Sequence, residues 1–90
     1  MAVRITDITG AQTDHVLLRE IQRPVFVIKP NGRVLGAGLV SADLECVRTG
    51  QITHSIVRLA NTGKGEAIPS AWLFDAIHFI PKLRSVWHVA

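Results

Sequence analysis

Asp75 and His78 stand three residues apart in AWLFDAIHFI (71–80). On a helix this spacing sets a carboxylate beside an imidazole, the arrangement in which the acid orients the ring for proton transfer. Ser55, Ser70 or Cys46 could supply a nucleophile and His54 a second base. No motif fixes their mutual geometry, so two side chains satisfying each other at a packed face explain Asp75 and His78 more simply than catalysis does. The metal-ligating types are His15, His54, His78, His88, Cys46 and Asp75, and none of their spacings forms Cys-x-x-Cys or His-x-x-x-His. No metal and no other cofactor is expected. Asn61-Thr-Gly-Lys-Gly-Glu66 resembles a fragment of a phosphate loop, but Arg58 stands where the first glycine belongs and Gly65 follows the lysine. It reads as a solvated turn with a basic tip.

Ten Lys and Arg against seven Asp and Glu give a net charge of +3, which permits an anionic partner without requiring one. The cations are scattered, and Arg33, Arg58, Lys64, Lys82 and Arg84 are the candidates for phosphate contacts. Base stacking has little to use: there is no Tyr, and Phe26, Trp72, Phe74, Phe79 and Trp87 all lie in apolar runs suited to a core. No helix-turn-helix or zinc-finger pattern is present. The one cysteine, Cys46, excludes an internal disulfide and reads as a small buried residue. Met1 to Gly10 lacks an apolar signal core, and no apolar run approaches the ~20 residues that cross a bilayer. A soluble, cytoplasmic setting without membrane contact is the expectation.

The elements that must position these residues start from the strongest local signal, PVFVIK-PNG-RVLGAGLV (24–40), two β-branched runs around Pro30-Asn31-Gly32. Pro30 lacks the N–H of a two-residue hairpin loop, which predicts a three-residue loop with Gly32 left-handed. That register pairs Lys29 with Arg33, Ile28 with Val34 and Phe26 with Gly36. Both faces of this hairpin are apolar, so it belongs at the centre of the sheet. Gly36 and Gly38 fall on one face, where a ring such as Phe26, or a helix, approaches the backbone.

Val3–Ile8 alternates as a strand. Thr13-Asp14 caps a helix over 14–22, with a strand through HVLLREI nearly as good. Ser41, Asp43, Glu45, Arg48 and Gly50 are placed as cap, first turn, last turn and stop of a short helix. Its competitor is a strand turning at Thr49-Gly50 into Ile52–Leu59. Ser70 and Pro81 bound a helix over 71–80 whose polar strip is Asp75 and His78 alone, and 82–90 reads as a closing strand.

These readings add up to one α+β domain over residues 1–90, a small antiparallel sheet built on the 24–40 hairpin and packed by two or three short helices. The alternative is a small β-barrel with one helix. Hydrophobic residues make up 48% of the chain and charged residues 19%, against about 25% charged in an average domain. Together with the chain's small size, this surplus predicts a non-enzymatic binding or accessory module that self-associates, a homodimer first, or meets a protein partner through Trp72, Phe74, Phe79 and Trp87. Weakly sequence-selective nucleic-acid binding is the second expectation, and a small enzyme using Asp75 and His78 the third.

Overall fold

The computed structural model describes residues 2–18 and 22–76. Seven antiparallel strands form one sheet: β1 (Val3–Thr6), β2 (Gln12–Leu17), β3 (Arg23–Ile28), β4 (Val34–Cys46), β5 (Ile52–Leu59), β6 (Gly65–Pro69) and β7 (Leu73–Asp75). Helical backbone among the described residues is confined to a 3-10 turn at Ser70–Trp72 and to Ala76. Over the described residues the chain therefore does not adopt the expected α+β packing by two or three helices. The barrel alternative also fails. β6 and β7 lie at opposite edges of the run β6-β5-β4-β3-β7, and no ladder joins them, although only the 3-10 turn separates them in the chain.

Within the expected helices, residues 14–17, 41–46 and 73–75 are strand, for a tertiary reason. β2 pairs with β1 through Val3–His15 and with β4 through Leu17–Leu44, and two neighbours outweigh the cap offered by Thr13-Asp14. Residues 41–46 carry a second periodicity beneath the helix caps, with Ala42, Leu44 and Cys46 buried and Ser41, Asp43 and Glu45 between them. That alternation suits a strand with β5 along one edge, and residues 44–46 also gain β2 along the other. Arg48-Thr49-Gly50 then turn the chain, with Gly50 left-handed at φ 69° and its N–H donated to Cys46 O. At residue 70 the serine caps nothing: Pro69 holds the cap position and the buried Ser70 Oγ lacks a partner among the described residues. After the 3-10 turn, Leu73–Asp75 pairs with β3, setting Phe74 opposite Phe26.

The Pro30-Asn31-Gly32 loop closes with Lys29 N–H on Arg33 O at 2.8 Å, Asn31 Oδ1 accepting from Arg33 N–H, and Gly32 at φ 90°. Ile28 lies opposite Val34, but Leu35 is then an extra residue, so Val27 meets Gly36 and Phe26 meets Ala37. The expected Phe26–Gly36 pair is off by this one-residue slip. A slip of one exchanges the faces of everything beyond it. Val25, Val27, Gly36, Gly38 and Val40 thus share one face, where Val25, Val27 and Val40 join Val57, Leu59 and Ile68 in the core. Gly38 answers β5, not Phe26: a Cβ there would stand 2.5 Å from Val57 Cγ1 and 3.0 Å from Arg58 O.

Candidate functional site

A second bulge decides where the polar chemistry sits. Val40 pairs with Val57 but Ala42 with Ile56, leaving Ser41 inserted. Consecutive residues on β5 point to opposite faces, so Val40 and Ala42 do too, and both are buried. From Ala42 onward β4 buries a second face, on which Leu44 meets His54 and Cys46 meets His15. Thr53 is inserted in β5 between the Ile52–Glu45 and His54–Leu44 pairs. Bulges redirect side chains, and here Thr53 and His54 both reach His15.

The result is a chain of hydrogen bonds. His54 Nε2 lies 2.8 Å from Asp7 Oδ2 and His54 Nδ1 2.8 Å from Thr53 Oγ1. His15 Nε2 lies 3.0 Å from the same Thr53 Oγ1, and His15 Nδ1 is 3.3 Å from Thr13 Oγ1. The imidazoles meet edge to face at 5.0 Å. One tautomer assignment serves the four side-chain contacts and leaves the Thr13 carbonyl oxygen, also 3.3 Å from His15 Nδ1, without a bond to that nitrogen. His54 donates Nε2–H to Asp7, the Thr53 hydroxyl donates to His54 Nδ1 and accepts from His15 Nε2–H, and the Thr13 hydroxyl donates to His15 Nδ1. Burial works against the Asp7 charge, yet bonds from the Thr9 hydroxyl, His54 and the Thr9 and Ala11 amides outweigh it and hold the carboxyl below its ordinary range. Those amide bonds fold the β1–β2 turn, which Ile8 N–H ties to Ala67 O on the free edge of β6. His15 is 2% exposed, and the chain serves to lock this turn against β5.

The locked turn is one wall of a groove of about 590 Å³ lined by Ile8, Thr9, Lys29, Arg33, Leu35 and Trp72. Its floor is apolar, since Ile8, Leu35 and Trp72 pack against the core. Its rim is cationic, with Lys29 Nζ 5.9 Å from the centre of the Trp72 ring. Beside it, Ala60 N–H bonds Ala37 O, which sets the 60–64 loop at the same end of the sheet as the 29–33 loop. Lys29, Arg33 and Lys64 belong to that end, whereas Arg58 lies opposite Leu39, one residue along β4 from the Val40 that faces Arg23, on the face away from Val57 and Leu59. Among the described residues none of the four forms an ion pair, whereas Arg4 and Arg23 pair with Asp14 and Asp43. Glu66, opposite Val57, and Asp75, opposite the Val25 that Gly38 links to Leu59, are carboxylates near that end.

A smaller cavity, about 380 Å³, is lined by Thr13, Asp14, Cys46, Val47 and Arg48. The amide and hydroxyl of Thr49, the Arg48 amide and the Arg48 charge pull the Cys46 thiol below its ordinary range against burial.

Of the residues singled out from sequence, Arg33 lines the groove, Lys64 lies in the 60–64 loop and Arg58 lies on β5 opposite Leu39, while Lys82 and Arg84 lie outside the described residues, as do His78, Phe79 and Trp87. Asp75 sits on β7 opposite Val25, so the helical step from Asp75 does not exist at its first residue. Trp72 is half-buried against the core and Phe74 is 39% exposed. Sequence reasoning missed Asp7, Thr13, Thr53 and the role of His15. The Asp-Ile-Thr-Gly turn signature was available for Asp7; the others meet only through register. Among the described residues no group of His, Cys, Asp and Glu could hold a metal ion, and no helix is long and apolar enough to cross a membrane. Comparison with family models, curated proteins and solved structures found no match.

Proposed function

We propose that this chain is a non-enzymatic binding module that takes nucleic acid through its basic end, by phosphate contacts that carry little sequence preference. The observation that supports this reading most is the cationic rim of the groove, Lys29 and Arg33, with Lys64 in the loop at the same end and none of the three in an ion pair among the described residues. Cations left unpaired keep their full attraction for phosphate, since no carboxylate must first be displaced. Fluorescence anisotropy with a labelled oligonucleotide of about twelve nucleotides tests it. Binding at about 50 mM salt that weakens by orders of magnitude towards about 200 mM is the expected result. No binding at low salt refutes it.

A second reading, self-association, draws on three exposed apolar residues of the β1–β2 hairpin, Val3 (52%), Leu17 (55%) and Leu18 (42%). Light scattering at high micromolar concentration checks it, and a strict monomer excludes it.

A further inference from the structure

We infer that the groove between the β1–β2 turn and Trp72 is a pocket for one unstacked base of a single strand, with the flanking phosphates on Lys29 and Arg33. The inference rests on the nucleic-acid reading above and adds the form of nucleic acid and the place of contact.

The groove joins two chemistries. Its rim holds an ammonium and a guanidinium, and its interior is apolar, formed by Ile8, Leu35 and the Trp72 indole. An inorganic anion would use the rim and leave the indole idle. An aliphatic ligand would do the reverse. A phosphate attached to a flat ring uses both, and the volume of about 590 Å³ lies inside the range of ordinary small-ligand pockets, ~300 to 1,000 Å³. In a duplex the base faces are covered by their neighbours, so only a single strand can offer a ring without first being unstacked. The Thr9 hydroxyl, held to Asp7, stands at the same wall and offers a polar contact to a base edge or a sugar. Lys29 lies at the outer limit of cation–π distance from the ring, on a flexible stem free to follow a phosphate as a base slides onto the indole. An acidic peptide matches the rim's charge but offers a ring only where an aromatic residue stands beside its carboxylates, whereas every nucleotide joins a ring to a phosphate.

The test uses the full chain carrying Trp87→Phe, which leaves Trp72 as the sole tryptophan. Adenosine monophosphate and a single-stranded oligonucleotide should quench its fluorescence, and inorganic phosphate and poly-glutamate should not. The single strand should bind about tenfold more tightly than a duplex of equal length. Trp72→Leu should weaken single-strand binding about tenfold, the order of one base–aromatic stack, while sparing duplex binding, and Trp72→Phe should restore most of the loss. If Trp72→Leu does not fold, the quenching and Trp72→Phe still decide. Equal binding of both strand forms with Trp72 unquenched overturns the pocket and leaves the basic end standing. Poly-glutamate binding as tightly as the single strand overturns the pocket in favour of a protein ligand. No oligonucleotide bound at low salt overturns both.

Discussion

Asp7 and Thr53 are the residues through which the groove's wall depends on the sheet. Asp7 is 8% exposed at its side chain, faces His54 Nε2 and accepts the Thr9 and Ala11 amides. Its carboxyl holds its proton less firmly folded than unfolded, because the bonds to Thr9, His54 and Ala11 outweigh the burial that opposes charge. The unfolded chain, with an Asp value of about 3.9, therefore takes up protons first as the solution is acidified. Stability from this group is complete above that value and is lost as the pH falls through the lower folded value. The difference in denaturant midpoint between wild type and Asp7→Asn should be large at pH 7 and shrink towards pH 3; a constant difference would rule the mechanism out. Thr53→Val tests the next link. It leaves His15 Nε2–H and His54 Nδ1 without their shared partner, a cost of about 1–3 kcal/mol, and Thr53→Ser should recover most of it.

At the scale of the element, β4 governs the fold, since β2 and β3 share one of its edges and β5 takes the other. Close approach of β4 to β5 is built on Gly38. Gly38→Ala puts a methyl 2.5 Å from Val57 Cγ1 and 3.0 Å from the Arg58 carbonyl oxygen, and the buried neighbours leave little room to yield. A loss of roughly 1–3 kcal/mol is expected in thermal melts. Part should return in Gly38→Ala/Val57→Ala, because the second change removes the nearer clash; strictly additive losses would show that the backbone contact alone is responsible. The same strand marks how far sequence carries. Pro30-Asn31-Gly32 announces its loop because the turn chemistry is local to three residues. The extra residues Leu35, Ser41 and Thr53 announce nothing, since a bulge exists only relative to a partner strand. Without them Phe26 falls on the wrong face and His15 never meets His54, 39 positions away. Residues 41–46 carry helix caps and strand alternation together, and only the partners β2 and β5 decide between them.

For the whole molecule the relevant quantity is the distribution of charge, not its net value of +3. Arg4 and Arg23 are offset by Asp14 and Asp43, while Arg33 and Lys64, in the loops at one end of the sheet, and Arg58, opposite Leu39, form no ion pair among the described residues. The candidacy of those three was legible from residue type, and their places in the sheet were not, because turns and register set them. Counterion release makes their contribution measurable: each phosphate neutralised on a single strand contributes about −0.7 to the slope of log affinity against log salt. Replacing all three with Gln should make the slope shallower by about 2 and weaken binding at low salt, with thermal stability held nearly constant since none of them is paired. Arg4→Gln with Arg23→Gln alters net charge almost as much, yet should leave the slope where it was. A slope that responds equally to both sets would mean that total charge, and not the basic end, holds the nucleic acid.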